Sequence, residues 1–214
     1  MLFSYEIAKR DQEEMSNLII EESLYLGKLI RILGLDVSYR KGYSCAVAVV
    51  YNTMSGIIEE VHSAILKTKV PYVPGFLGFR EIASFMATLQ KINLKTIDLI
   101  LVDGHGRFHP RMAGSASHVY LVVKRPTIGV AKNPLRSDEI DSEGNIWLNG
   151  KIVGKVLSHP MGARKLYVSV GGGIDLETAY NIVKKLRKNP GLPVPLNYAD
   201  KISKKVINIA LSGS

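Results

Sequence analysis

Asp103 follows an almost uncharged apolar run, residues 97–102, and opens a loop rich in glycine, histidine and arginine, residues 104–111. A run of leucine and β-branched residues of this length predicts a strand buried on both faces. The glycines free the backbone to turn at the carboxyl end of that strand, where open α/β sheets usually place their chemistry. A carboxylate followed by two histidines and two arginines suits a metal ion and a phosphate group, and His105 and His109 are well placed for phosphate or base contacts. The combination indicates nucleic-acid chemistry.

Two more carboxylates, Asp36 and Glu81, could join Asp103 at one site. Period-two alternation over residues 33–39 puts Asp36 on the face that carries glycine and serine. A carboxylate inside a central strand needs a partner, so a metal ligand is favoured over the alternative, an edge-strand aspartate in water. Glu81 lies off the apolar stripe of a predicted helix and, taken alone, is typical of a solvated glutamate. Together the three could hold two divalent cations that activate a water and stabilise the departing oxygen of a phosphodiester.

Four other side chains could serve this site, and each has a structural alternative. Lys132 follows a predicted strand and could neutralise charge on phosphorus, or it is a plain surface lysine. Tyr72, between two prolines, could enter a base stack, or it packs within its loop. Asp200 could face the same metals, or it favours the dipole of the last helix. His118, in the middle of an apolar helix, is more often a hydrogen-bonded core histidine.

The elements that must position these residues follow from hydrophobic periodicity and turn residues. Strands are predicted over residues 32–39, 44–51, 57–67, 97–102, 126–131, 146–148, 152–158 and 166–170. Helices are predicted over 5–30 (one or two helices), 76–92, 115–123, 175–188 with Asp175 as N-cap, and from about Tyr198 onward. An antiparallel meander followed by strand–helix–strand units predicts an α/β protein with one mixed sheet, including parallel strands, flanked by helices.

Composition restricts the class of protein. The chain has 214 residues, 46% hydrophobic and 22% charged, which is typical of one globular domain, residues 1–214. Lys and Arg outnumber Asp and Glu by 28 to 19, and from Met161 onward nine basic residues face three acidic ones. Such an excess favours polyanions, although a solvated basic surface explains the total charge equally well.

Location is predicted from two features. Cys45 is the single cysteine, so an intramolecular disulfide is impossible and a reducing interior is expected. Residues 1–10 lack the apolar core of a secretion signal, and the longest uncharged stretch, residues 42–58, is too polar to span a bilayer. We expect a cytoplasmic protein without membrane association, with Cys45 buried.

Taken together, the motifs resemble the endonuclease V family of inosine-directed repair nucleases. Residues 35–38 are similar to its first metal-binding strand, and residues 71–81, which contain Pro-Tyr-Val-Pro-Gly, to its wedge motif leading into a helix glutamate. Asp103 and the loop that follows it, to residue 111, resemble the metal and base-pocket loop. Residues 114–118 and 126–132 resemble two further blocks in order and spacing. The resemblance extends from about residue 30 to residue 200.

The resemblance implies a ribonuclease H-like fold and Mg²⁺-dependent hydrolysis, with Mn²⁺ as a substitute. The bond implied is the second phosphodiester 3′ to deoxyinosine in DNA, leaving 3′-hydroxyl and 5′-phosphate ends. The residues carried over are Asp36, Glu81 and Asp103 as metal ligands, with Asp200 as a further candidate, Lys132 as a catalytic cation, Tyr72 as the wedge, Leu77, Gly106 and His109 as the base pocket, and Arg111 and His118 as further substrate contacts.

Three places depart from the usual family pattern. Arg107 and Phe108 replace small or aliphatic residues in the pocket loop, Met112 stands where a second arginine is common, and residues 171–173 are three glycines in place of a proline-glycine-histidine turn. These changes leave the predicted metal site intact and bear on base preference and affinity.

Other functions remain open at this point. The substrate could be inosine in RNA, since a ribonuclease H-like site tolerates either sugar. The chain could instead be a catalytically silent binding module that recruits repair partners through its basic face, although the intact acidic trio argues against this. The related nuclease domain of excision repair fits less well, because it has no use for a Pro-Tyr-Val-Pro wedge. A monomer is favoured.

Overall fold

A computed structural model describes residues 3–23, 29–159, 164–188 and 190–212. The strands of this described part are β1 (Arg31–Arg40), β2 (Tyr43–Asn52), β3 (Ile58–Lys67), β4 (Leu99–Val102), β5 (Thr127–Ala131), β6 (Glu139–Ile140), β7 (Asn145–Leu148), β8 (Lys151–Leu157) and β9 (Leu166–Gly172). The helices are α1 (Tyr5–Asn17), α2 (Leu77–Leu89), α3 (Ser115–Val123), α4 (Leu176–Leu186) and α5 (Val194–Ala210), with a 3₁₀ turn at Leu94–Thr96.

The described strands form one mixed sheet in the order β3-β2-β1-β4-β5-β9-β8-β7-β6. β1, β2 and β3 are the predicted antiparallel meander. β4 and β5 then continue the sheet parallel to β1, and β9 turns antiparallel again. The expected mixed sheet is therefore confirmed, and β1 lies inside it, between β2 and β4.

The two faces of the sheet are covered by different helices. Leu33 and Leu35 of β1 pack with Phe85 of α2 and Val119 of α3. Ile32 and the odd-numbered residues of β4 pack on the other side with α4 and α5. The period-two alternation predicted for β1 is therefore confirmed, and it leaves Asp36 on the α5 side of the sheet.

Several local predictions hold because they rest on nearest neighbours in the chain. All four residues of β4 are fully buried, as the apolar run predicted. The Asp175 side chain accepts a hydrogen bond from the Thr178 amide at 2.9 Å and caps α4. Cys45 is buried in β2. Among the described helices, none combines the length and the apolar character that a bilayer span requires.

Other boundaries differ from the predictions. α1 ends at Asn17, residues 18–23 are not helical, and residues 24–28, also predicted helical, lie outside the described residues. α5 begins at Val194 instead of Tyr198, because proline in the first turn lacks only an amide that has no helical partner there. β9 continues to Gly172, through the predicted glycine corner, because it pairs with β5 through a bulge at Thr127. The two-residue β6 was not predicted.

Gly34 allows α5 to approach β1 closely enough for Ser203 of that helix to form a hydrogen bond with Asp36. A Cβ atom at Gly34 would lie 2.4 Å from the Pro195 carbonyl carbon and 2.8 Å from the Leu196 nitrogen. These are backbone atoms at the start of α5, so they cannot rotate away as a side chain does.

We therefore expect Gly34→Ala to lower the free energy of unfolding by about 1–3 kcal/mol, through displacement of α5. Chemical denaturation followed by circular dichroism measures this. Gly191→Ala is the control, because a Cβ there meets its nearest atom at 3.8 Å. Equal stability of the two variants would contradict the close approach.

Candidate functional site

Asp36 and Asp103 are neighbours because β1 and β4 are parallel and adjacent. Leu35 pairs with Val102 at the end of the ladder, and the Asp103 amide donates to the Leu35 carbonyl at 3.0 Å. The next residue of each strand is therefore a carboxylate at the same edge of the sheet. Asp36 is 6% exposed, so the alternative of an edge-strand aspartate in water is wrong.

Asp200 joins them from α5. One carboxylate oxygen from each of Asp36, Asp103 and Asp200 lies within 4.8 Å of the other two. The alternative, in which Asp200 only favours a helix dipole, does not describe this arrangement, because Asp200 lies in the second turn of α5 and faces the other two carboxylates. Oxygen ligands from three carboxylates are the kind of set that hard divalent cations prefer.

Ser203 fixes the Asp36 carboxylate and was missed at the level of sequence. Its hydroxyl donates to Asp36 Oδ2 at 2.5 Å and lies 2.7 Å from the Ser38 hydroxyl. Ser203 lies one helical turn after Asp200, so both face β1. That spacing was the available signal, but it becomes informative only once α5 is known to cross β1.

Lys132 leaves the end of β5 and reaches the same cluster. Its Nζ lies 2.6 Å from Asp103 Oδ2 and 2.8 Å from Asp200 Oδ1. Burial alone would lower the pKa of Lys132, but the Asp103 and Asp200 carboxylates outweigh it and raise that pKa above its ordinary value. Burial opposes ionisation of Asp200 also, yet Lys132 and Lys204 lower its pKa overall. Lys132 is therefore a charged member of the cluster, and the surface-lysine alternative is wrong.

Glu81 approaches from α2, on the opposite face of the sheet. It is 3% exposed and lines a cavity of about 390 Å³ with Asp36, Asp103 and Lys132, although it lies outside the 4.8 Å group. Its Oε2 has no hydrogen-bond partner among the described residues. Burial raises the pKa of Glu81 to about 8, and the charges of Asp36 and Asp103 add to that rise. The solvated glutamate expected for this residue on its own is therefore wrong.

The pKa of Asp103 is also raised above its ordinary value. Burial raises its pKa to about 7, the Asp36 carboxylate adds to this, and Lys132 opposes it. Asp103 Oδ2 lies 2.6 Å from Lys132 Nζ, and that single ammonium group is shared with Asp200. The cluster holds more negative than positive charge, so a bound cation would stabilise it.

Three further side chains line this cavity without having been predicted as site residues: Val37, Tyr39 and Arg80. The Arg80 guanidinium lies 4.5 Å from the centre of the Tyr39 ring and donates to the Val70 carbonyl at 2.8 Å. The Tyr39 hydroxyl is buried without a hydrogen-bond partner in the described part of the chain. Burial and the Glu81 carboxylate raise the pKa of Tyr39, so it remains a neutral donor. Tyr39 lies three residues after Asp36 and Arg80 directly precedes Glu81. This proximity in sequence was the signal that could have identified both as site residues.

A second, more apolar cavity of about 140 Å³ lies beside the first. One wall is residues 72–78 and the other is formed by residues 104–115. Tyr72 and Leu77 line both cavities, so the two are adjacent. Tyr72 is 67% exposed, so it is a projecting aromatic and not a packed loop tyrosine. His109 lies in the wall of the second cavity, as does His105.

Three residues predicted to contact the substrate, Gly106, Arg111 and His118, lie outside the lining of both cavities. A Cβ at Gly106 would lie 2.0 Å from the Val170 carbonyl oxygen, so Gly106 packs against β9. Arg111 donates to the Gly75 carbonyl at 2.7 Å. His118 is buried under Gly78, where a Cβ would lie 2.7 Å from the imidazole.

The histidines of this region are neutral at neutral pH. Burial lowers the pKa of His105 to about 4, that of His109 to about 3 and that of His118 to about 4. His109 donates from Nε2 to the Gly75 carbonyl at 3.0 Å and accepts at Nδ1 from the Arg111 amide at 3.2 Å. Of the two contacts predicted for His105 and His109, uncharged imidazoles favour the base over the phosphate, and the second cavity suits an uncharged group.

The departures from the family pattern face away from both cavities. The Arg107 guanidinium pairs with Glu21 at 2.8 Å. Phe108 is fully buried beneath β7 and β8. The second of the three glycines, Gly172, allows close approach of Tyr120, since a Cβ there would lie 2.1 Å from the ring. None of the residues at these departures lines either cavity, and those described above support the loop from behind.

Comparison with known proteins agrees with this geometry. A model of the endonuclease V family matches residues 13–201. The endonuclease V of Ignicoccus hospitalis is 40% identical over 211 residues, which cover 96% of this chain and 97% of that protein. The catalytic domain of human endonuclease V has the same fold, with a TM-score of 0.87 at 27% identity over 97% of each chain.

Another solved structure contains nucleic acid. Ciona intestinalis endonuclease V, in complex with a 24-mer DNA containing an inosine followed by a ribo-adenosine, has a TM-score of 0.86 at 29% identity, covering 97% of this chain and 100% of that chain. The fold is ribonuclease H-like, as the resemblance implied. The extent of these matches, together with the acidic cluster where β4 ends beside β1, makes this chain a member of the endonuclease V family of nucleases.

Proposed function

We propose that this chain is a single-domain, divalent-metal-dependent endonuclease that recognises deoxyinosine in DNA. It hydrolyses the second phosphodiester 3′ to the lesion and leaves 3′-hydroxyl and 5′-phosphate ends. The observation that supports this most strongly is the position of the acidic cluster, Asp36, Asp103 and Asp200, directly beside an apolar cavity that Tyr72 lines. Chemistry and base recognition then occur at adjacent places, as cleavage near an extruded base requires.

The residues of the cluster fit a Mg²⁺ or Mn²⁺ ion. The three aspartates offer oxygen ligands within 4.8 Å of one another, and Glu81, whose Oε2 has no hydrogen-bond partner among the described residues, lines the cavity that Asp36 and Asp103 also line. Asp36, Asp103 and Asp200 would hold the ion, with Glu81 as a further ligand. When bound, a divalent cation supplies a water of lowered pKa and stabilises negative charge on the phosphodiester.

The protein's own groups have distinct tasks at this site. Ser203 holds the Asp36 carboxylate in one orientation through its 2.5 Å hydrogen bond. Lys132 contributes a positive charge next to Asp103, where it stabilises the charge that develops on phosphorus. Tyr39 and Arg80 line the same cavity and are donors for the phosphodiester backbone.

Base recognition is assigned to the second cavity. Extrusion of a mismatched base costs less than extrusion of a paired one, which gives selectivity before any hydrogen bond forms. Tyr72 occupies the gap in the stack, and Leu77 and the neutral His109 border the extruded base. Gly106, Arg111 and His118 act behind the wall, where they support the lining.

Inosine in RNA is a second candidate substrate. The Ciona intestinalis protein is bound to a strand in which a ribo-adenosine follows the inosine, so that relative accommodates a ribose at this position. The net charge of +9 favours either polyanion. Action as a monomer in the cytoplasm stays a prediction.

Nick mapping tests this function directly. With Mg²⁺, the wild-type protein is expected to cut an end-labelled inosine duplex once, at the second phosphodiester 3′ to the inosine. Asp36→Asn and Asp103→Asn should each reduce the rate by about 10³-fold, because they remove a ligand charge, while retaining DNA binding in a gel-shift assay.

The matched control is Asp138→Asn, an exposed aspartate of the described surface that should nick normally. Full nicking by Asp36→Asn would contradict the metal cluster. If the protein cut an inosine-containing RNA in preference to an inosine-containing DNA present in the same reaction, RNA would replace DNA as the proposed substrate.

A second prediction concerns Tyr72. Tyr72→Ala should reduce cleavage of an inosine duplex by about 10–100-fold, because ring stacking that holds the opened duplex is worth about 1–3 kcal/mol. Cleavage of single-stranded inosine DNA should change much less, since no stack is opened there. Tyr72→Phe keeps the ring and should retain duplex cleavage. Equal losses on single and double strands would argue against a wedge.

A third prediction concerns stability in the absence of metal. The pKa values of Glu81 and Asp103 are raised above their unfolded values, so the folded state binds more protons. Their contribution to stability is therefore complete below about pH 4 and is lost as the pH rises through about 7 and 8. Glu81→Gln removes part of that loss, so at about pH 9 in chelator the variant should melt several degrees above the wild type. At about pH 4 the variant and the wild type should melt at the same temperature.

Calorimetric melting curves at the two pH values measure the effect. Added Mg²⁺ should raise the melting temperature of the wild type more than that of Glu81→Gln, because the ion binds the carboxylate cluster. Glu14→Gln, on the exposed face of α1, is the control and should follow the wild type. A lower melting temperature for Glu81→Gln at high pH without metal would show that the carboxylate is stabilised by other means.

A further inference from the structure

α1 carries a buried polar side chain that no step of the proposed reaction uses. Within α1 the buried residues are Ala8 and Gln12, one turn apart on the same face. Gln12 is fully buried. A primary amide in such a position is costly unless its donors and its acceptor are all satisfied.

Gln12 makes three hydrogen bonds to two separate segments. Its Nε2 donates to the Gly75 carbonyl and to the Ala113 carbonyl, each at 3.1 Å. Its Oε1 accepts from Arg111 Nε at 2.6 Å. One amide therefore connects the Pro-Tyr-Val-Pro-Gly segment with the loop that follows Asp103.

The Gly75 carbonyl is where these contacts converge. Besides Gln12, it accepts from His109 Nε2 at 3.0 Å and from Arg111 Nη2 at 2.7 Å. Gly75 has a φ of +80°, a conformation that favours glycine, and it immediately follows Pro74. Three donors on one carbonyl fix the end of the segment that carries Tyr72.

The Ala113 carbonyl marks the other end of the connection. Ala113 is fully buried and precedes Gly114, whose amide donates to the Gly106 carbonyl at 3.0 Å. The second cavity lies between the two segments, because Gly75 lines one wall and Gly114 the other. The separation of the two carbonyls that Gln12 joins therefore controls the width of this cavity.

Arg107 provides a second connection between α1 and the loop that follows Asp103. Its Nη1 donates to the Ser16 carbonyl at 2.9 Å, in the last turn of α1, and its Nε pairs with Glu21 at 2.8 Å. The loop that follows Asp103 is thus joined to α1 at two points, through Arg107 to Ser16 and through Arg111 to Gln12.

We propose that Gln12 is a positioning residue for base recognition: by joining the Gly75 and Ala113 carbonyls it holds the cavity at the width that accepts the extruded base. The inference rests on the proposed function. Gln12 touches no atom of the substrate and acts through the walls of the cavity. α1 is therefore part of the recognition apparatus, although it lies outside both cavities.

The test is steady-state cleavage of single-stranded DNA that contains one inosine, with the same strand carrying adenine as the comparison. Gln12→Glu keeps the acceptor for Arg111 and removes both donors. We expect its KM for the inosine strand to rise about tenfold, with kcat within about threefold of wild type, and its preference for inosine over adenine to fall about tenfold. Gln12→Asn keeps the amide but is one methylene short, so it should show the same change to a smaller extent.

Glu14→Gln, on the exposed face of the same helix, is the matched control and should leave KM and preference unchanged. A lower kcat with unchanged KM and preference in both Gln12 variants would mean a purely structural role and overturn the inference. So would unaltered kinetics in a folded Gln12→Asn protein, with folding verified by its melting curve. Failure of the wild-type protein to cut the inosine strand would overturn the proposed function itself, and this inference with it.

Discussion

The burial of like charges at one edge of the sheet is the constraint on which the rest of the structure depends. Asp36, Asp103 and Asp200 converge within 4.8 Å, and the buried Glu81 adds a fourth carboxylate in the same cavity as Asp36 and Asp103. Lys132 and the Ser203 hydroxyl compensate only part of this charge. Burial, with the neighbouring carboxylate charges added to it, raises the pKa values of Asp103 and Glu81. A folded protein retains such an arrangement at a cost in stability, which a bound divalent cation would offset.

The sheet determines how four carboxylates can meet. Helices on opposite faces of a sheet do not touch through it, but both reach the ends of the strands. Glu81 comes from α2 on one face and Asp200 from α5 on the other. Between them, Asp36 lies within β1 and Asp103 directly follows the adjacent β4. The absence of a side chain at Gly34 brings α5 close enough for Ser203 to reach Asp36.

The cationic and imidazole groups of the glycine loop serve the protein's own backbone. Arg107 binds α1, Arg111 binds Gly75 and Gln12, and the histidines are neutral because they are buried. The cavity between the loops is therefore apolar and nearly uncharged, next to a cavity dominated by carboxylates. This contrast separates a place for a neutral base from a place for a cation and a phosphodiester.

The sequence by itself determined the mixed sheet, the positions of Asp36 inside β1 and of Asp103 directly after β4, and the loop that carries the second cavity. These follow from alternation, apolar runs and glycine turns, which act between near neighbours. It did not determine the burial of Glu81, the approach of Asp200 and Ser203 to Asp36, the internal use of Arg107 and Arg111, or the placement of Gly106 and His118 behind the wall. Those depend on contacts between residues far apart in the chain, so only the packing of α1, α2 and α5 around the sheet decided them.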